Sequence, residues 1–253
     1  MPMRFKPDLH RLIHSLSPSE KRYFRLQAAS FSSNRESNYL KLFNAILEQS
    51  EYDQESLLTR FQEENWVDRL STEKNYLYQL ILKTMRSYDA ERNVYVRIRG
   101  QIKDIEFLYR KGLFTESQRL LEKTMAQAGK FEDLPALLEL QQWARKLLKK
   151  QSAKGAEAEL DKLIGEKEDH LAKLVDQLAY ADLYDRLFFR IRKDQSLRSG
   201  EDLLNVSAWM ENELMQDAER PQTFQSRHLF FQIQGYCHRL QGEPGKALEA
   251  YQG

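Results

Sequence analysis

Apolar residues recur every three or four positions through most of this chain, which is the spacing of one face of an α-helix. Leu9, Leu12, Ile13 and Leu16 form a first short stripe. Ser17-Pro18-Ser19-Glu20 then reads as an N-cap serine, a first-turn proline and a capping-box glutamate. It predicts a helix from Pro18 to about Ser30 with Tyr23, Phe24 and Leu26 inward, and Ser32-Ser33-Asn34 reads as a loop. Asn38 to about Gln49 carries Tyr39, Leu42, Phe43, Ile46 and Leu47 at helical spacing. Asp53 is placed to cap a short helix with Leu57, Leu58 and Phe61. Ser71 is placed to cap the next, with Tyr76, Leu77, Leu80, Ile81 and Tyr88 facing in. No glycine occurs in this stretch, and residues 1–88 read as one helical subdomain.

Residues 89–253 form a second region. One helix is predicted from about Ala90 to Lys111, stopped by Gly112. Thr115 caps another, which stops at Gly129, and Pro135 opens a third with apolar positions on more than one side. Ala156 to about Lys193 is continuous helical pattern, with Leu160, Ile164, Leu171, Leu174, Leu178, Ala181 and Phe188 as its stripe and Gly165 as a candidate break. Gln195 to Gly200 reads as a loop, Glu201 to about Ala218 as a helix, and Phe224 to Leu240 as another.

Composition agrees with an all-α fold. Val and Ile together number 14 against 37 Leu, and there are only 10 Gly and 6 Pro, so a large sheet with its turns is excluded. The single cysteine, Cys237, excludes a disulfide framework and fits a reducing compartment. No apolar run approaches the ~20 residues of a membrane span, and the start lacks a signal-peptide pattern. A soluble, cytoplasmic protein with no membrane partner is expected. Lys plus Arg is 39 and Asp plus Glu 38, so no net charge draws the whole molecule to nucleic acid.

A repeat is visible in the second region. Gly112-Leu113-Phe114-Thr115-Glu116-Ser117 has a partner in Gly242-Glu243-Pro244-Gly245-Lys246-Ala247. In each, a glycine closes one helix and a small residue five positions later opens the packing face of the next. A bulky residue, Leu121 or Tyr251, follows four positions on. This resembles the tetratricopeptide repeat, whose signature places are matched by Phe231, Gly235, Ala247 and Tyr251. Gln234 and His238 depart from it. The copy near Ile98 to Phe131 is weaker, with Leu108, Ser117 and Leu121 in the corresponding places. The first region, with LHRLIHSLSPSEKRYFRL, YLKLFNAILEQSEYD and EKNYLYQLILKTMRSY, is similar to the start of bacterial tetratricopeptide-like proteins of uncharacterised function. The resemblance implies an α-α superhelix of antiparallel helix pairs over 89–253, following the 1–88 subdomain. Because the chain stops partway through a repeat's second helix, a fragment of a longer protein is expected.

The resemblance also implies a concave groove lined by the first helix of each pair. In the earlier copy these residues are Arg99, Glu106, Tyr109 and Arg110, and in the later one Gln232, Tyr236 and Arg239. Tyr and Arg are residue types that anchor interfaces, so the expected function is a scaffold that binds a protein or peptide, with no cofactor and no catalysis. Two alternatives stand beside it. Lys21, Arg22 and Arg25 around Tyr23 and Phe24, and Lys146, Lys149, Lys150 and Lys154, could touch the phosphates of a nucleic acid. The 156–193 helix could instead drive self-assembly. No phosphate-binding glycine loop, H-E-x-x-H or C-x-x-C occurs. His10 and His14 have the four-residue spacing of a helical zinc pair but no evident third ligand, and Cys237-His238 reads as a packed thiol beside a histidine.

Overall fold

The computed structural model describes residues 8–30, 38–150, 155–193 and 208–252, and all regular structure among them is helical. The chain divides into two compact units, Met1–Arg97 and Ile98–Gly253.

The first unit contains α1 (Asp8–Ser15), α2 (Pro18–Ser30), α3 (Asn38–Leu47), α4 (Gln54–Arg60) and α5 (Leu70–Arg92). The capping box forms as expected: the Ser17 N–H donates to Glu20 Oε2 at 2.6 Å, and the Glu20 N–H donates to Ser17 Oγ at 3.3 Å. Asp53 Oδ1 accepts the N–H groups of Glu55 and Ser56 at 2.9 and 3.2 Å and so starts α4. The core joins Leu9 and Ile13 of α1 to Phe24, Phe43, Ile46, Trp66, Leu77 and Ile81. Two inward expectations are corrected. Leu26 is 63% exposed, because Phe24 and Ala28, four apart, form the buried face of α2. Tyr76 also points outward and stacks on Tyr39 with centroids 4.5 Å apart. Ser71 lies inside the first turn of α5, whose N-cap is Arg69.

The boundary expected near Asp89, between the helix carrying Tyr88 and the one from about Ala90 to Lys111, falls four residues later, at Asn93. Asn93 is extended (φ −111°, ψ 116°), ends α5, and caps α6 (Val94–Arg110) by accepting the Tyr95 N–H at 2.9 Å. An asparagine side chain that satisfies the next turn's free N–H groups outweighs the continuous apolar spacing.

The second unit continues through α7 (Phe114–Lys130), α8 (Leu134–Leu148), α9 (Ala156–Lys193), α10 (Phe224–Leu240) and α11 (Pro244–Gln252). Helix α7 packs on α8, α8 on α9, α9 on α10, and α10 on α11. Three of the turns close in the same way. At Gly112 the Leu113 N–H donates to Leu108 O at 3.0 Å, and at Gly242 the Glu243 N–H donates to His238 O at 2.9 Å. Both glycines are left-handed, with φ of 76° and 77°. Between α7 and α8 the Asp133 N–H donates to Ala128 O at 2.9 Å, and the left-handed residue is Glu132, with φ 49°. Gly129 therefore does not stop α7, which runs on to Lys130. Five residues after each glycine, Ser117 and Ala247 are buried, and Ser117 Oγ donates to Ile105 O at 3.0 Å across the α6–α7 hairpin. Thr115 sits within α7, whose N-cap is Leu113, and Pro135 occupies the first turn of α8 behind the capping Asp133.

Helix α9 is unbroken over 38 residues, and Gly165 lies within it. Its buried positions are Leu163, Tyr180, Leu183 and Leu187 rather than the predicted stripe, of which Leu171, Leu178 and Phe188 face outward. The helix expected over 201–218 does not extend that far. Beyond Met210 the chain forms turns and a short 3-10 helix, Glu213–Met215, started by the Asn212 side chain. Trp209, Met210 and Leu214 still pack on the core of Tyr180, Phe230, Ile233 and Cys237. The expected loops at 32–34 and 195–200, and the early part of the 201–218 helix, lie outside the described residues.

Candidate functional site

The seven groove positions form two groups. In the earlier group, Tyr109 is half-buried. Its ring meets Phe114 and Trp143 edge-on, with centroids 5.3 and 5.7 Å apart. Lys146 Nζ lies 3.8 Å from the Trp143 ring centre, and Lys150 Nζ 5.8 Å from that of Phe114. Two of the lysines set aside for nucleic acid are thus engaged with aromatic faces. Arg99 donates to Asp133 Oδ1 at 2.9 Å, with Glu139 at 3.9 Å, so it braces the α8 cap. Glu106 and Arg110 face solvent as a pair one turn apart, at 3.8 Å.

In the later group, Tyr236 packs against Tyr184 of α9 and Tyr251 of α11, with centroids 6.0 and 6.2 Å apart, and Arg239 lies 5.8 Å from its ring centre. Burial and neighbouring phenols push the Tyr184 hydroxyl above its ordinary value, and burial does the same for Tyr251. Gln232 Nε2 lies 3.0 Å from His228 Nε2 one turn back. Among the described residues, no contact joins Tyr109 to Tyr236.

Gln232 also belongs to a feature that the sequence reading missed. A cleft of about 460 Å³ opens on α10 and α11 and is lined by Phe224, Arg227, His228, Phe231, Gln232 and Tyr251. Helix geometry aligns 224, 228 and 231 on one side of α10. Phe224 is 78% exposed and stacks parallel to His228, and Tyr251 is 45% exposed. Phe224 is held in place by its own N–H, which donates to Glu132 Oε2 at 2.8 Å, and by the Thr223–Ser226 capping box behind it. The signal in the sequence was an aromatic residue in the first turn of a helix whose buried face runs through Phe230, Ile233 and Cys237.

His10, His14, Cys237, His238 and Arg25 are engaged in structural contacts. His10 donates Nε2–H to Gln49 O at 3.0 Å, and His14 does the same to Ile46 O at 3.3 Å, with the two rings 4.2 Å apart. They hold α1 against the carbonyl end of α3. Among the described residues, no cluster of three His, Cys, Asp or Glu could hold a metal ion. Cys237 is fully buried, and burial pushes its thiol up to about 11, while His238 bonds Glu243 Oε2 at 2.9 Å. Arg25 bonds Asn44 Oδ1 at 3.1 Å and lies over Phe43. Among the described residues, no helix is long and apolar enough to cross a membrane. No family model, curated protein or solved structure matches this chain.

Proposed function

We propose that this chain is a protein- or peptide-binding scaffold built of tetratricopeptide-like helical hairpins stacked as a superhelix, with no chemistry of its own and a cytoplasmic location. The observation that carries the reading is the α10–α11 cleft, where exposed Phe224 and Tyr251 flank Arg227, His228 and Gln232. An open cleft with aromatic walls and a few polar groups suits a peptide side chain and its backbone better than a small metabolite that must be enclosed. The shared closure at Gly112, Glu132 and Gly242 supports repeated hairpins. The buried, protonated thiol of Cys237 supports a role without nucleophilic catalysis. Of the later groove group, Gln232 lines the cleft and Tyr236 meets its wall residue Tyr251, which links the two.

The test is selection from a displayed random-peptide library against the purified chain, followed by binding measurements on Phe224→Ala, Gln232→Ala and the double variant Tyr109→Ala with Tyr236→Ala. Enriched peptides should lose at least tenfold in affinity, about 1.4 kcal/mol, with Phe224→Ala. The double variant should weaken them through Tyr236. Failure to enrich any peptide, or binding indifferent to all three variants, overturns the reading.

A further inference from the structure

The α6–α7 and α10–α11 hairpins are copies in register. Helices α6 and α10 have 17 residues each, and the closing bond from Leu113 N–H to Leu108 O is matched, at one constant separation along the chain, by that from Glu243 N–H to His238 O. Burial repeats close to the turn: Ile105 and Ser117 are buried in the first copy, and Gly235 and Ala247 in the second. Farther from the turn it diverges. Ile98, Ile102 and Leu121 are 0, 4 and 1% exposed. Their counterparts are His228, which is exposed, Gln232, which is half-buried, and Tyr251, which is 45% exposed. All three counterparts line the α10–α11 cleft.

The first copy shows what fills that place. Helix α7 has 17 residues where α11 has 9, and its additional turns begin after Glu122. Thr124 Oγ1 donates to Gln101 Oε1 at 3.4 Å, and Gln101 is the counterpart of Phe231 in the cleft wall. Thr124 and Ala128, both fully buried and four residues apart, lie on one side of α7. Small side chains at such a contact let two helices lie close together. The cleft therefore occupies the place of two helical turns. Its walls are Phe224, Phe231 and Tyr251, and it has His228 and Gln232 where the first copy has Ile98 and Ile102.

We propose that the cleft takes an amphipathic α-helix supplied by a partner protein, lying antiparallel to α10 and in line with α11. This rests on the reading of the chain as a scaffold and names the form of its ligand. The helix buries small residues four apart, as Thr124 and Ala128 are, and adds a hydrogen-bonding side chain to meet His228 and Gln232. A helix satisfies its own main-chain N–H and C=O groups, so walls made of aromatic rings suit it.

A displayed library on an alanine-rich helical frame, varied along one face, tests it beside the same library with a proline fixed at the centre. The proline-free library should yield ligands, and placing a proline at their centre should cost at least tenfold in affinity. Phe224→Ala and Tyr251→Ala in the chain should each cost a similar factor. A nitroxide at a ligand's C-terminal end should broaden the Phe224 amide resonance, and one at its N-terminal end that of Tyr251. If neither these libraries nor the random one yields a ligand, the scaffold reading falls together with this inference. Ligands that need Phe224 yet tolerate the proline leave the scaffold standing and overturn the helix. Helical ligands indifferent to both chain variants overturn the site, and the reverse pattern of broadening overturns the antiparallel arrangement. A mass above 30.0 kDa for the chain alone that falls with Phe224→Ala gives the cleft to a second copy and overturns the partner.

Discussion

Gly235 sits beneath the ring of Tyr251, and this contact sets how closely α10 and α11 approach. A Cβ at residue 235 would lie 2.4 Å from Tyr251 Cε1 and 2.6 Å from Cζ, far inside van der Waals contact. Replacing Gly235 with alanine therefore has two opposing effects. Alanine stabilises a helix interior by about 1 kcal/mol relative to glycine. Overpacking costs about 1–3 kcal/mol when the neighbour cannot move freely. The Tyr251 ring is partly exposed, which allows it to swing out, but doing so breaks its edge-on contact with Tyr236. Gly235→Ala alone should thus be neutral to destabilising by about 2 kcal/mol. In a Tyr251→Ala background the obstacle is gone, and the same substitution should stabilise by about 1 kcal/mol. Urea denaturation of the four proteins, followed by circular dichroism, closes this double-mutant cycle. Amide exchange along α11 reports the same loosening locally. If Gly235→Ala stabilises equally in both backgrounds, the ring does not bear on residue 235 and the close approach plays no part in stability.

Further expectations concern single groups. Tyr180 is buried, its hydroxyl donates to Leu214 O at 2.7 Å, and burial pushes its pKa up to about 12. The raised value means the folded state holds this proton more tightly, so its stabilisation is full below the ordinary phenol pKa and is lost between there and about 12. Tyr180→Phe should remove that alkaline loss, seen by 295 nm absorbance, and cost about 1–3 kcal/mol by stranding the Leu214 carbonyl. The Ser17 main-chain and side-chain hydrogen bonds hold the Glu20 carboxyl below its usual range, so its contribution is present above the ordinary carboxylate pKa and fades as pH falls through the lowered value. Ser17→Ala should cost about 1 kcal/mol at neutral pH and lessen that acid dependence without removing it, because the main-chain N–H remains. Cys237 should react with a disulfide reagent only as fast as the second unit opens, and immediate labelling of the native chain at pH 8 would contradict its burial.

Much of the local structure was legible because it rests on interactions between near neighbours. The Ser17–Glu20 box, the Asp53 cap and the stops at Gly112 and Gly242 each depend on a few consecutive residues, and each forms where the sequence places it. The boundary between α5 and α6 was legible, but its position was set four residues early, because the apolar spacing runs through Asn93 and the asparagine cap that starts the new helix was not weighed. The groove positions were the least legible. Arg99 is drawn to Asp133, thirty-four residues away, and Tyr236 to Tyr184 on another helix, and no local pattern specifies such partners.

By itself the sequence determined that the chain is helical, where most helices start and stop, and that two hairpins share one closing motif, since these follow from backbone capping and 3.6-residue periodicity. Tertiary structure decided which of several apolar faces is buried. Helix α9 has apolar residues on two sides, and only its packing on α8 and α10 selects Leu163, Tyr180, Leu183 and Leu187 and leaves Leu171, Val175 and Leu178 outside. It also decided that Glu132 takes the left-handed place that glycine holds in the other two closures, with its carboxylate meeting the Phe224 N–H from ninety-two residues away. Burial is a property of neighbours brought together from distant parts of the chain, so periodicity can name the candidate faces of a helix but cannot choose between them.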